Sequence, residues 1–201
     1  MLLSVMNAID LLQHDHKRIR RILRDLTETP SPAERADLYD LAEDALQTHS
    51  AIEEDYFYDA VRHAAGTAYA EELFIKSREE HKLVDVVFPH LRLVSTRSEN
   101  FAAKARLTRE LVEHHIGNEE RELFPLAQEV LSERQLEDLG ERMARSKRLL
   151  SGKVILASQN RMLDCDSDGF KLVTPFFTVT SGVGCGPYRI GIPYWMRGGL
   201  C

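Results

Sequence analysis

Cysteine is scarce in this sequence. Its three cysteines (Cys165, Cys185 and Cys201) all lie near the C-terminal end and show no CxxC spacing. That excludes a disulfide framework and a thiolate metal site. Long apolar runs are missing too. None approaches the roughly 20 residues that span a bilayer, so no membrane partner is expected. The start, MLLSVMNAID, has no basic leader, and its apolar stretch is too short for a secretory signal. A reducing, cytoplasmic compartment is the expectation. A formal net charge of −6 argues against nucleic acid as a partner. The 201 residues suit one domain with an appendage.

A second set of absences divides the chain. Residues 151–201 contain no histidine and no glutamate, yet they hold eight of the eleven glycines and the only tryptophan. Residues 1–150 hold all eight histidines and a net charge of −8, against +2 for the remainder. The later stretch TPFFTVTSGVGCGPYRIGIPYW has β-prone residues interrupted by Gly and Pro. It reads as a small hairpin or a disordered tail, or else as a non-native continuation such as a shifted reading frame. The domain expectation is therefore a bundle over residues 1–150 and a tail of unknown role over 151–201.

The first part reads as helices. Ile9, Leu12, His16, Ile19, Leu23 and Leu26 recur at spacings of 3 and 4, predicting a helix over about 5–27. Ser31, Pro32 and Glu34 then form a start signal with a capping box, opening a helix that ends before Gly66. A third helix is expected over about 67–94, bent near Pro89, and a fourth over about 101–131. Ser132 with Gln135 opens a shorter fifth, to about Leu150. The expected fold is all-α: an up-down-up-down four-helix bundle with a short fifth helix and an irregular or disordered C-terminal tail.

One pattern occurs twice. His49-x-x-x-Glu53 in HSAIEEDYF aligns with His115-x-x-x-Glu119 in HIGNEEREL. Each is preceded by a helix with one histidine on its apolar stripe, His16 and His81. The offsets agree: 65 residues for the single histidines and 66 for both members of the motif. Four residues turn a helix by about 400°, so His and Glu stack on one face about 6 Å apart. Leu38, Ala42, Ala45, Leu46, Tyr56, Phe57 and Ala60 continue that face in helix two. Leu107, Leu111, Leu123 and Leu126 continue it in helix four. Four imidazoles and two carboxylates would therefore point inward at mid-height. Two buried carboxylates cost several kcal/mol each unless compensated, and a cation offsets that cost. Imidazole with carboxylate suits iron, manganese or zinc.

The other candidates are weaker. His14, His63, His90 and His114 read as surface residues, His114 pairing with Glu110. Glu54, Glu120 and Glu122 read as solvated or paired with arginine. Asp15 and Tyr56 are candidates to orient a ligand imidazole or to hydrogen-bond a metal-bound oxygen.

DHKRIRRIL at 15–23, HSAIEEDYF at 49–57, EEHKLVD at 79–85 and HHIGNEERELFP at 114–125 together resemble the hemerythrin-like (HHE cation-binding) domain family. The resemblance covers about residues 5–131. It implies a non-haem di-iron centre inside the bundle: two iron ions with an oxo or hydroxo bridge. By that resemblance His16, His49, His81 and His115 would be terminal ligands, with Glu53 and Glu119 as bridging carboxylates. Two coordination positions would stay open for O2 or another small ligand. The chain departs from the oxygen-carrying members at Asp85, where they have a further histidine, and at Glu119, where they have aspartate. Asp85 and His14 stay open as further ligands. The implied function is a protein that binds or senses O2, nitric oxide or iron and signals to a partner protein. The alternative is a di-iron oxidase or peroxidase, or an iron donor for cluster repair. No Glu-x-x-His and no HExxH occurs to favour an enzyme.

Overall fold

The computed structural model of the chain describes residues 6–163, with side-chain detail over residues 6–150. Among the described residues seven α-helical segments make five rods: α1 (Ala8–Glu28), α2 (Pro32–Ile52) continued by α3 (Tyr58–Ala65), α4 (Ala68–Val87), α5 (Glu99–Asn118) continued by α6 (Phe124–Val130), and α7 (Glu133–Leu163). No strand occurs among the described residues.

Side chains start the rods as their types dictate. Asn7, Ser31, Thr67 and Ser98 each accept a hydrogen bond from a first-turn backbone N–H, satisfying a donor that has no helical partner. Ser132 and Gln135 form the expected reciprocal box: Ser132 N donates to Gln135 Oε1 at 2.9 Å and Gln135 N to Ser132 Oγ at 3.4 Å. At Ser31 the box is incomplete, because Glu34 accepts from the Thr29 hydroxyl instead. Gly66 ends α3 at φ 58°, a left-handed conformation open to glycine without a Cβ penalty. Past Val87 the chain tightens into a 3-10 turn over Phe88–Leu93, where Pro89 removes a donor from the helical ladder.

Two features differ from the sequence expectation. α7 runs on to Leu163, past the change in composition. Residues 151–163, SGKVILASQNRML, contain no proline and are mostly tolerable helix formers. The tail expectations for residues 164–201 lie outside the described residues. The second feature is a π-turn inside each motif-bearing rod, at Glu53–Phe57 and at Glu119–Leu123. In each, the glutamate carbonyl accepts from the residue five ahead, Tyr58 N–H or Phe124 N–H. Each extra residue rotates the face that follows.

The core has two apolar layers. Leu12, Ile52, Phe57, Val61, Phe74, Leu123, Phe124 and Met143 form one. Ile19, Leu23, Leu26, Tyr39, Ala42, Phe88, Leu91, Phe101 and Ile116 form the other. Burying each such side chain contributes about 1.5–3 kcal/mol. Along α1 the first layer ends at Leu12 and the second begins at Ile19, with His16 between them. A polar layer thus lies at mid-height, walled above and below by hydrocarbon. Leu107, expected on the inward stripe, is 57% exposed.

Candidate metal centre

α1 supplies His16, α2 His49, α4 His81 and α5 His115, all buried. The two glutamates head the π-turns and are the least exposed acids: Glu53 at 0% and Glu119 at 1%. The structure brings all six side chains together. Donor atoms of His16, His49, Glu53 and Glu119 lie within 4.8 Å of one another, as do those of Glu53, His81 and His115. His16 and His49 form one edge-to-face pair, with ring centroids 4.8 Å apart. His81 and His115 form a second, tilted pair, with centroids 4.5 Å apart.

Each carboxylate stands between the two pairs. Glu53 Oε2 lies 3.3 Å from His49 Nε2 and 3.3 Å from His81 Nε2. Glu119 Oε2 lies 3.2 Å from His16 Nε2 and 3.4 Å from His115 Nε2. The Nε2 atoms of His81 and His115 approach to 3.0 Å. His16 Nε2, His49 Nε2, Glu53 Oε1 and Glu119 Oε2 are buried with no hydrogen-bond partner. Four such atoms gathered within 4.8 Å of one another are expensive, because each has lost water and, without a cation, only imidazole protons stand between them. Imidazole nitrogen with carboxylate oxygen is a donor set for a first-row transition metal, and the orphaned atoms fit that group.

A second ring of carboxylates backs the imidazoles. His16 Nδ1 lies 2.9 Å from Glu120 Oε1, His81 Nδ1 2.9 Å from Glu54 Oε1, and His115 Nδ1 2.9 Å from Glu80 Oε2. Asp15 Oδ2 stands 4.0 Å from His49 Nδ1. The ring obeys the sequence repeat: Glu54 and Glu120 each follow a motif glutamate, and Asp15 and Glu80 each precede a single histidine. A proton held on Nδ1 by the outer carboxylate leaves the Nε2 lone pair facing the centre. The outer acids are anchored in turn. Arg20 donates to both oxygens of Glu120, at 2.8 and 3.1 Å, and Lys147 of α7 pairs with Asp15.

This arrangement corrects several expectations. Glu54 and Glu120 do meet arginines as expected, Arg78 at 3.8 Å and Arg20 at 2.8 Å, but each also backs an imidazole. Tyr56 does not reach the centre; it packs beside Arg142, whose guanidinium lies 5.3 Å from its ring. Tyr58 takes the inward position instead. Its hydroxyl donates to Glu119 Oε1 at 2.7 Å and lies 3.5 Å from His81 Nε2. The π-turn explains the miss, since a regular helix would not carry Glu53's inward face on to the residue five ahead. The equivalent residue of the other repeat, Phe124, stacks on His16 at 5.4 Å. His114 is exposed and nearest Glu80, at 3.6 Å, rather than Glu110. Asp15 does sit behind an imidazole. His14, Asp85, His63 and His90 are exposed.

The charges are tightly coupled in the ion-free chain. Burial presses the His16 pKa down, but Glu119, Glu120 and Glu53 outweigh it and raise it to about 11. Burial likewise opposes the His81 shift, and Glu53 and Glu54 raise its pKa to about 10. Burial works to raise the Glu53 pKa, yet His49, His16 and His81 hold it well below the usual carboxylate value. Burial, then the charges of Glu119 and Glu53, push the Tyr58 phenol well above its ordinary value. Protons on imidazole are what neutralise the carboxylates when no cation does.

A family model, the hemerythrin HHE cation binding domain, matches residues 7–127. The chain belongs to that family. Its HHE fold is similar to the crystal structure of a hemerythrin HHE cation binding domain-containing protein from Mycobacterium kansasii, with a TM-score of 0.67 and 26% identity, covering 77% of this chain and 93% of that one. A curated protein of Nostoc sp. named as a DNA nickase is 24% identical over 132 residues. That match takes in 66% of this chain and 36% of the Nostoc protein, so the chain spans about a third of that relative's length. Membership and the buried His/Glu cluster together fit cation binding, with iron as the natural candidate. No helix among the described residues is long and apolar enough to cross a membrane.

Proposed function

We propose that this chain binds two iron ions and through them binds or senses O2, nitric oxide or iron availability. His16 and His49 would hold one ion and His81 and His115 the other, with Glu53 and Glu119 shared. The observation that carries this is the position of each carboxylate, with one oxygen about equally far from an imidazole of either pair. When bound, iron supplies a ferrous–ferric couple and open positions for a small ligand.

The chain's own residues do the rest. Glu120, Glu54 and Glu80 hold the Nδ1 protons of His16, His81 and His115, so each ring presents a lone pair inward. Tyr58 holds Glu119 by Oε1 and leaves Oε2 for the centre. Phe124, stacked on His16, and Phe57 beside it close the site toward the first apolar layer and exclude water there. The test is metal analysis with an absorption spectrum. About two irons per chain are expected, with charge-transfer bands that change on adding azide or nitric oxide. Glu119→Gln should lose both signals. Retention of full iron content in that variant, or a clear preference for zinc, overturns the proposal.

A further inference from the structure

A run of cationic residues stands out on α1 of this acidic bundle. From Lys17 to Arg24, α1 carries Lys17, Arg18, Arg20, Arg21 and Arg24 and no acid. Residues 1–150 as a whole have net charge −8. Between α1 and α5 all of these side chains but Arg18 line a groove of about 570 Å³. Lys17, Arg20, Arg21, Arg24 and Arg109 form its walls, with Glu28 and Glu113. That is five cations against two acids. Lys17, Arg21 and Arg109 form no ion pair among the described residues, and Arg109 meets only the Thr27 hydroxyl, at 3.0 Å. Arg24 pairs with exposed Asp25. Only Arg20 is strongly compensated, by Glu113 and Glu120.

Like charges lining one groove focus a positive potential there and concentrate anions. Planar guanidinium forks match phosphate oxygens two at a time. The net negative charge of residues 1–150 disfavours an extended polyanion, so a small, compact anion fits better. We propose that this groove is a binding site for a small phosphate-bearing anion, such as a nucleoside diphosphate, and that occupancy is communicated to the metal centre. The link is Arg20. It lines the groove and holds Glu120, which accepts from His16 Nδ1. The binding half stands without the di-iron reading; the communication half rests on it.

The test uses the iron-loaded chain titrated calorimetrically with ADP and with pyrophosphate. Saturable binding is expected, weakening as salt is raised. Arg21→Glu with Arg24→Glu changes two exposed residues that touch no candidate ligand. It should weaken binding by about tenfold or more with helicity unchanged. Equal affinities for ADP and pyrophosphate identify phosphate as the recognised group; a tighter ADP shows that the nucleoside also contacts the groove. Glu119→Gln, which should lack iron, must still bind the anion. Binding that vanishes in that variant means the anion was ligating iron and overturns the site. Binding unchanged in the arginine variant, or an oligonucleotide that binds more tightly per phosphate than ADP, overturns it as well. Saturating ADP should change the rate at which a chelator removes iron, and the arginine variant should show no such change. An unchanged rate in the parent chain overturns the communication.

Discussion

Replacing Glu53 by leucine should act in opposite directions on the metal-free and metal-loaded chain. Glu53 is fully buried, its Oε1 has no hydrogen-bond partner, and its Oε2 is shared between two imidazoles. In the metal-free chain it is a buried carboxylate balanced only by imidazole protons. Exchanging a buried ionic group for hydrocarbon of similar volume is commonly neutral or stabilising by about 1–4 kcal/mol when no partner is left charged and alone, and here His16 keeps Glu119 and Glu120 while His81 keeps Glu54. The two apolar layers adjoin it, so leucine has hydrocarbon to meet. For a chain of this size each kcal/mol shifts Tm by about 2–4 °C, so the metal-free variant should melt no lower than the parent and up to about 15 °C higher. Iron acts the other way. A ligand at about 1,000 times its Kd stabilises the folded state by about 4 kcal/mol, a rise in Tm of about 8–16 °C. The parent should show that rise and the variant should not, because on the proposed reading both ions would lose a shared ligand. Calorimetric scans with and without ferrous iron under anaerobic conditions give all four values. A metal-free variant that melts well below the parent would show that the carboxylate is structural. An undiminished response to iron would show that it is not a ligand. Either result refutes the reasoning.

Three further outcomes follow from the geometry. Glu120→Gln keeps the shape but weakens the acceptor for His16 Nδ1, and should lower iron affinity by about 10–100-fold in competition with a chelator, with little change in melting of the metal-free chain. The His16 pKa, raised from 6.5 to about 11, contributes stability that is fully present below pH 6.5 and lost as pH rises through 11; His81, raised to about 10, acts with the same sign. Chemical denaturation of the metal-free chain should therefore show falling stability between those limits, and iron loading should release protons. Gly140→Ala should destabilise the bundle. The added Cβ would lie 2.4 Å from Met6 O, 2.7 Å from Asn7 C and 2.8 Å from Ala8 N, all backbone atoms that cannot turn aside. Overpacking of this kind costs about 1–3 kcal/mol, against a helix-propensity gain of at most about 1, so a drop in Tm of several degrees is expected by calorimetry.

Much of the fold was legible because helices announce themselves locally. Apolar spacing marks the buried faces, and Ser31, Pro32, Gly66, Ser132 and Gln135 mark the ends with groups that satisfy or free particular backbone bonds. The 66-residue repeat went further. It placed four imidazoles and two carboxylates on inward faces, since His-x-x-x-Glu has one geometry on a helix. The outer carboxylates were present in the same repeat as Asp15, Glu54, Glu80 and Glu120. Asp15 was legible as a candidate to orient an imidazole, but Glu54, Glu80 and Glu120 went unread because a charged residue one step off a buried stripe looks like a solvated one. Their hydrogen bonds cross between helices: Glu54 reaches α4, Glu80 reaches α5, and Glu120 reaches α1. Tyr58 was hidden for another reason. Its inward aim depends on a π-turn, a one-residue slip in hydrogen bonding that no periodicity of 3.6 reveals.

By itself, then, the sequence determined the helical rods, their repeat and the six side chains that face inward, because period and spacing act within one helix. Only tertiary structure decided which carboxylate backs which imidazole, that Tyr58 rather than Tyr56 enters the centre, and that α7 reaches it through Lys147 and Asp15. Those pairings depend on the rotation and height of one rod against another. That packing is set by the two apolar layers together, and no local pattern encodes it.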